Sequence, residues 1–412
     1  MTSDSTNNEP TSNIFDSWRS ISIAIFMALV GYSVMVSVPV LSTALVAKVG
    51  FTDVQVGRIW GADLGGFSLG AILAAFTVAR VNRRILVMAG VILTIAANAL
   101  CMVFVEYEQV LWLRVAAGIG SGIFTAVAVV SLGGTTKPVN AFNMLLFGFA
   151  FSTAAELHIL PKLSMNEIYL FFIALSAICA FFIHWVPTRP SNTEELVQQE
   201  KAEDHFQDWH VPKILPVLCL VAVCFTYINI GGYYTYIVLA AFADGISQEW
   251  TGPVLTWSAV AGLVGCVIAL VCTRFGLFKP LFSSLLLMTA VVMWLAVGVT
   301  EFNFMMSVFL FYTLWTFVDI FQSGMLSHMD RTGSLVALLP CVQGFGQFVG
   351  PNISASVLDA DLGYSIMFIV SGSMTLVALL LYFGVFFYMQ RCKSALAEPL
   401  GNAQQLAADV DA

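Results

Sequence analysis

Residues 79–84 (ARVNRR) and residues 273–279 (TRFGLFK) are two short basic stretches that lie about half a chain apart in an otherwise apolar sequence. Each stretch joins two long apolar segments, and each is the second such joint in its half of the chain. This repetition predicts a duplicated unit of six helices. Membrane bundles built from two related halves are typical of secondary transporters.

The composition excludes an ordinary soluble protein. Of the 412 residues, 59% are hydrophobic and only 10% are charged, whereas soluble domains carry about 25% charged residues. A chain with so little charge cannot cover a water-facing surface, so we expect a lipid bilayer around it. No basic stripe points to a nucleic-acid partner,.

The sequence offers no catalytic or metal-binding pattern. None of the eight cysteines forms a C-x-x-C pair, and nearly all of them lie in apolar runs, as expected of small buried free thiols. The phosphate-binding loop and the H-E-x-x-H and G-x-S-x-G motifs are also missing,. We therefore expect no enzyme activity, no cofactor and no metal ion.

Long apolar runs predict the membrane topology. About 20 apolar residues span a bilayer as a helix. Runs of this kind occur near residues 20–44, 56–78, 86–105, 110–132, 141–160, 167–186, 214–243, 252–273, 280–300, 304–327, 335–357 and 364–389. The predicted fold is an all-α membrane protein with twelve transmembrane helices in two six-helix, pseudo-symmetric halves.

A polar segment with two prolines and several charges divides these halves. We predict a disordered cytoplasmic N-terminus over residues 1–17, six-helix bundles over 18–186 and 213–390, a cytoplasmic linker loop over 187–212 and a cytoplasmic tail over 391–412. The N-terminal segment has no basic region or cleavage site typical of a signal peptide, so the first apolar run is expected to remain as a helix.

The basic residues predict the orientation. If both termini lie inside, the outer connections carry only Lys48, Arg58 and Lys162, and nearly all other basic residues lie on the inner side. This asymmetry follows the positive-inside rule. We predict a multi-pass protein of the cytoplasmic (inner) membrane with both termini in the cytoplasm, and we expect a monomer.

Three motifs are typical of one transporter family. The two basic loops retain the arginine and lysine positions of the pattern G-x-x-x-D-R-x-G-R-R/K, although Ala79 and Thr273 stand where its acid is expected. Residues 114–122 (RVAAGIGSG) match R-x-x-x-G-x-G-x-G, and residues 344–352 (GFGQFVGPN) form a glycine–proline run on the eleventh helix. By these motifs the chain resembles the major facilitator superfamily over roughly residues 18–390.

The resemblance implies a division of roles. Helices 1, 4, 7 and 10 would line a central cavity, and Arg114 would lie inside the membrane and take part in proton transfer. The family's fifth-helix signature of proton antiporters is replaced by residues 147–153 (FGFAFST), which disfavours drug-type antiport. The gating loops would contain Arg80, Arg83, Arg84, Arg274 and Lys279.

Ionisable side chains inside a membrane are costly, so each one is a functional candidate. We predict proton coupling through Asp63, Arg114, Glu156 and Asp319. Asp63 and Arg114 lie at similar predicted depths, about 6–10 Å from the outer surface at 1.5 Å per residue, which permits an ion pair. Protonating Asp63 would release the arginine; the alternatives are a static ion pair or an Asp63 that faces outer water. Glu156 either binds a proton or a substrate amine, or reaches only the outer interface.

The predicted substrate site centres on the tenth helix. Asp319 lies deep in this helix and either carries a proton, holds a cationic substrate group or hydrogen-bonds to neighbouring helices. The tyrosines of the seventh helix suit an aromatic or amphipathic solute, or else an interfacial belt, and two glutamines four residues apart share a face of the eleventh helix. The predicted substrate-binding residues are Tyr227, Asn229, Tyr233, Tyr236, Asp319, Gln343 and Gln347.

These patterns predict a secondary active transporter that works by alternating access. A single intramembrane arginine disfavours multiply charged anions, so the expected solute is a small neutral, zwitterionic, cationic or monoanionic organic molecule. Proton-coupled uptake by symport is favoured. The alternatives are proton-antiport efflux of amphipathic or drug-like compounds and a membrane sensor or scaffold that transports nothing.

Overall fold

The computed structural model describes residues 14–78, 80–135, 138–188, 214–329, 335 and 338–391. Most of the predicted N-terminal segment, linker loop and tail lie outside the described residues, as does Ala79 at the expected acidic position of the first basic loop.

The described residues form twelve long α-helices, which confirms the predicted all-α fold. Their bounds are α1 (Trp18–Ala44), α2 (Asp53–Thr77), α3 (Arg83–Cys101), α4 (Tyr107–Gly133), α5 (Pro138–Ile159), α6 (Met165–Phe181), α7 (Ile214–Ala243), α8 (Gln248–Cys272), α9 (Phe278–Trp294), α10 (Glu301–Met329), α11 (Leu339–Asp359) and α12 (Gly363–Arg391). Within the described residues, ten spans are long and apolar enough to cross a membrane. The two helices outside these ten spans are α11 and the shorter α6, which a 3-10 turn at Ile183–Trp185 follows.

Polar side chains fix where several helices begin. Thr52 and Gln55 form a reciprocal capping box at the start of α2, and Ser164 and Glu167 form another at the start of α6. The Asn82 side chain accepts a hydrogen bond from the Arg84 backbone amide at the start of α3, at 2.9 Å. These contacts satisfy backbone donors that have no partner inside the helix.

The helix contacts repeat from one half to the other. Helix α2 packs on α4 as α8 packs on α10, and α3 packs on α6 as α9 packs on α12. Between the halves, α2 packs on α11 as α5 packs on α8. Each of these contacts therefore has a counterpart between the two helices whose numbers differ from its own by six. The two halves are therefore related by pseudo-symmetry.

Helices α2 and α4 approach each other backbone to backbone. Gly66 and Gly70 of α2 face backbone carbonyls of α4, and Gly118 and Gly122 of α4 face backbone carbonyls of α2. A methyl group at any of these positions would overlap the opposite helix. Small residues permit such close packing inside membranes, and here it brings the side chains of the two helices within reach of each other.

We expect Gly118→Ala to destabilise the protein by about 1–3 kcal/mol, because its new methyl group would collide with the Asp63 carbonyl of the neighbouring helix,. Gly133→Ala is the matched control on the same helix, since a methyl group there meets no atom within 4 Å. Thermal unfolding of both purified variants measures the difference. Equal stability of the two variants would contradict the close packing.

The predicted outer side, which carries the α1–α2 connection, is closed by contacts between the halves. These contacts are hydrogen bonds from Tyr234 to the Val36 carbonyl, from Tyr236 to the Asp53 carbonyl and from Tyr364 to the Asp53 carboxylate, and an ion pair between Arg58 and Asp359. The hydroxyl-to-carbonyl distances of the first two are 2.7 and 2.9 Å. Tyrosines of α7 thus close the outer side.

A cavity of about 100 Å³, which we call the inner cavity, lies between this closure and the predicted inner side. Its walls come from α1, α2, α4 and α11, and they extend from Tyr32, in the middle of α1, to Val78, next to the predicted inner end of α2. The cavity also contacts Cys341. The space between the halves therefore lies toward the predicted inner side.

Candidate functional site

Asp319 is the centre of a polar site in the second half. Its two carboxylate oxygens each lie 2.7 Å from the Tyr227 hydroxyl of α7, which donates to them. The Gln343 amide of α11 donates to the same carboxylate at 3.4 Å. Neither ion pair in the described part of the chain involves Asp319. Three helices thus surround a carboxylate with neutral hydrogen-bond donors alone.

Aromatic rings extend this site toward the outer closure. The Trp315 indole donates to the Tyr227 hydroxyl at 3.3 Å, and the two rings are perpendicular, with centroids 6.4 Å apart. The Trp315 ring also lies 5.8 Å from Tyr234 and 6.1 Å from Tyr312. The Tyr234 and Tyr312 hydroxyls are hydrogen-bonded to each other. We call Tyr227, Tyr234, Tyr312 and Trp315 the aromatic cluster.

The first half contributes Tyr32 to the same region. Tyr32 packs against Phe67 and Phe149, with ring centroids 5.4 and 5.9 Å away. It lines the inner cavity together with Cys341 and lies within electrostatic range of Asp319. The Asp319 site therefore lies where the two halves meet.

Glu156 is buried on the other side of the aromatic cluster. Only 5% of its surface is exposed, and its carboxylate accepts a hydrogen bond from Ser37 of α1 at 2.7 Å. The outer-interface alternative for Glu156 is therefore wrong. The Tyr234 and Tyr312 hydroxyls lie within electrostatic range of this carboxylate. Two acids, one from each half, thus flank the aromatic cluster.

Asp63 and Arg114 form the ion pair that their predicted depths permit. The Arg114 Nε donates to Asp63 Oδ2 at 2.6 Å, and a second guanidinium nitrogen contacts the same oxygen. Asn98 of α3 accepts from Arg114 at 2.8 Å, and the Trp60 ring lies 5.6 Å from the guanidinium. Asp63 is only 2% exposed and Arg114 only 1%. The alternative of an Asp63 that faces outer water is therefore wrong.

The other predicted substrate residues lie elsewhere on α7 and α11. Tyr233 stacks on Phe311, with centroids 4.0 Å apart, and hydrogen-bonds to Ser307. Tyr236 belongs to the outer closure. Asn229 is fully buried, and its amide has no hydrogen-bond partner among the described residues. The Gln347 backbone packs against Gly231. Of the predicted set, the structure brings together Tyr227, Asp319 and Gln343.

Three predicted gating residues contact aromatic rings or carbonyls of their own half. The Arg83 guanidinium lies 4.7 Å from the buried Phe15 ring, and the Arg274 guanidinium lies 4.8 Å from the Phe275 ring. Arg84 donates to the Val186 and His184 carbonyls at 2.8 and 2.7 Å. The contacts of Arg83 and Arg84 fasten the first loop to its own half, whereas Arg274 contacts its neighbour within the second loop. The remaining two, Arg80 and Lys279, are exposed.

Sequence reasoning missed Tyr32, Asn98, Tyr312 and Trp315. One of them carried a readable signal, because Trp315 precedes Asp319 by four residues and so shares its helix face,. Asn98 was visible as a lone amide in an apolar helix. No group of three His, Cys, Asp or Glu side chains in the described part of the chain is placed to hold a metal ion.

We expect Arg114→Met to lower the free energy of unfolding by about 3–5 kcal/mol, because it leaves the buried Asp63 carboxylate without its cation,. Adding Asp63→Asn should recover much of this loss. Arg58→Met is the control, since this exposed ion pair should contribute at most about 1 kcal/mol,. Denaturant titration of the purified variants checks the order; a double variant no more stable than Arg114→Met would refute charge compensation.

Comparisons with known proteins agree with this architecture. The sequence matches the family model described as Major Facilitator Superfamily over residues 21–351. No curated protein matches the sequence. Among solved structures, a D-xylose-proton symporter is similar with a TM-score of 0.69 and 15% identity, over 90% of this chain and 98% of that chain.

Two further solved structures are similar at low identity. The nucleoside transporter NupG superimposes with a TM-score of 0.64 and 11% identity, over 89% of this chain and 98% of its own. The human organic anion transporter MFSD10 (TETRAN) gives 0.60 and 13%, over 88% and 98%. At these identities the likeness shows the fold alone.

Proposed function

This chain belongs to the Major Facilitator Superfamily, and we propose that it carries a small organic solute into the cell by proton symport, with Asp319 at the centre of the solute and proton site. Its membership and fold make it a secondary transporter and not an enzyme. The observation that carries the finer proposal is a carboxylate inside the membrane surrounded by neutral donors of α7 and α11.

The neighbours of Asp319 suit a proton acceptor. An ionisable group inside a membrane, without a cation beside it, is a candidate for binding a proton or a cationic ligand. A fixed arginine, such as the one beside Asp63, would hold the carboxylate in its charged state,. Tyr227 and Gln343 can hydrogen-bond to either state of the group. Asp319 can therefore lose and regain its proton while it keeps its hydrogen bonds to Tyr227 and Gln343.

The aromatic cluster favours a solute with a ring and several hydrogen-bond donors. Aromatic faces offer large apolar contact, and the tyrosine hydroxyls add polar anchors. The described part of the site holds no lysine or arginine beside Asp319, so a neutral or cationic solute is favoured over an anion. Two structural relatives are named for nucleosides and D-xylose, which are ring compounds with hydroxyl groups.

We propose a supporting role for the Asp63–Arg114 pair. It lies in the first half, between α2 and α4, and its charges balance each other. Protonation of Asp63 would remove one charge and weaken the hold on Arg114. This change would alter the packing of α2, the helix that also contacts α11 of the other half. The pair thus offers a link between proton binding and the movement of the halves.

The orientation and location belong to the same proposal. Basic residues concentrate on one side, which we assign to the cytoplasm by the positive-inside rule. The protein would then be a monomer in the cytoplasmic membrane with both termini inside. In that orientation the closed side faces out, and the inner cavity faces the cytoplasm.

We expect Asp319→Asn to abolish proton-driven accumulation while leaving the fold intact, because the amide cannot bind the coupled proton. The assay measures the accumulation of uridine, D-xylose or a lipophilic cation in proteoliposomes under inward and outward proton gradients. Tyr227→Phe should reduce the rate by about tenfold or more, since it removes a hydrogen bond to a charged group,. Glu301→Gln, at the exposed outer end of the same helix, is the control.

Each other outcome of this assay rejects the proposal in a different way. Accumulation driven by the opposite gradient would establish antiport. Undiminished accumulation by Asp319→Asn would remove this residue from coupling. No movement of any probe by the wild-type protein would favour the sensor or scaffold.

A further inference from the structure

A second cavity opens on the predicted outer side of the first half. It has a volume of about 720 Å³ and lies between the end of α1, the α3–α4 region and the α5–α6 connection. Lys48, Lys162 and Asn166 lie at its exposed rim. Lys48 belongs to the π-helical turn Leu45–Val49 and donates to the Leu163 carbonyl. We call this cavity the outer pocket.

The floor of the outer pocket reaches the buried ion pair. Cys101 of α3 and Tyr169 of α6 both line the pocket, and only 2% and 3% of their surfaces are exposed. Cys101 and Tyr169 both lie within electrostatic range of the Arg114 guanidinium. Asp63 is within electrostatic range of Cys101 and Tyr169. One layer of polar side chains therefore separates the pocket from the ion pair.

The outer pocket is distinct from the space between the halves. Its lining residues all belong to the first half, whereas the outer closure joins the two halves through Tyr234 and Tyr236. In the same structure, then, the solute path is closed on the outer side while the pocket is open there. The pocket thus approaches Asp63 from the outer side, while the outer closure shields Asp319 from that side.

The charged and titratable groups around this route come from several elements. Asp63 of α2 and Arg114 of α4 form the pair, and Cys101 of α3 and Tyr169 of α6 lie near it. The rim carries Lys48 and Lys162. Lys162 is hydrogen-bonded to His158, and the nearby Glu167 carboxylate caps α6. Apart from Glu167, these groups are basic, so the rim gives cations, hydronium included, no electrostatic advantage.

We propose that the outer pocket is the access through which water and protons from the outer side reach the Asp63–Arg114 pair, separately from the solute. A hydronium ion that passes Cys101 and Tyr169 gives its proton to the Asp63 carboxylate, an O–H bond forms on Asp63, and water remains. The inference rests on the proposed function in one respect, because a proton gradient gives this access its use in transport.

The test blocks the pocket at its rim and observes Asp63 directly. Asn166→Cys places a thiol at an exposed position, and a bulky membrane-impermeant methanethiosulfonate reagent then fills the pocket. Gln248→Cys, exposed at the outer end of α8 in the other half, is the matched control. Wild-type protein treated with the same reagent shows the background from native cysteines.

Infrared difference spectroscopy of proteoliposomes after a drop in external pH reports the protonation of Asp63, as the carboxyl signal that Asp63→Asn removes. We expect labelled Asn166→Cys to slow this signal by about tenfold or more, a barrier increase of about 1.4 kcal/mol. Labelled Gln248→Cys should retain the unlabelled rate. An unchanged rate in labelled Asn166→Cys would overturn the proposal, as would a wild-type protein without this carboxyl signal.

The infrared measurement needs no transported solute. A protein that moves no solute but shows a pocket-dependent Asp63 signal would contradict the proposed symport and support the access route. A protein that accumulates solute under a proton gradient, with an Asp63 signal unaffected by the label, would support symport and reject the route.

Discussion

The bilayer offers no water to a buried charge, so each ionisable side chain inside this bundle depends on the protein for its partners. Three acids meet this constraint in three ways. Asp63 has an arginine, Glu156 has a serine hydroxyl, and Asp319 has a tyrosine and a glutamine. The partner decides what each acid can do: a cation stabilises the charged carboxylate, whereas hydroxyl and amide groups can bond to the neutral form as well.

This difference gives the two halves different chemistry. The first half is organised around the close contact of α2 and α4, where glycines let the backbones approach and hold a compact ion pair. The second half places its acid beside large aromatic rings, which leave it half-buried at the junction with Tyr32. A compact charged pair suits a switch, and a carboxylate among rings suits a binding site. Pseudo-symmetry of the helices therefore does not extend to their side chains.

The sequence predicted the properties that depend on position along a helix. The helix number follows from apolar length, and depth permits the Asp63–Arg114 pair, because residue number sets depth at a fixed rise per residue. The direction in which a side chain points depends on how each helix is rotated against its neighbours. For this reason Tyr233 and Tyr236, near Tyr227 in sequence, lie away from Asp319, while Tyr32 from another helix lies within electrostatic range of it. Only packing decides such neighbours.

The outer side is closed between the halves but open within the first half, an arrangement that alternating access alone does not require. In this conformation the tyrosines of α7 close the outer side between the halves, while the outer pocket remains open within the first half. A movement of the halves against each other changes the contacts between them, but it leaves the packing inside each half unchanged. The outer pocket would then lead toward Asp63 from the same side throughout the cycle, and Asp319 would change sides. A proton on Asp63 would report the outer pH to the bundle, whereas a proton on Asp319 would travel with the solute.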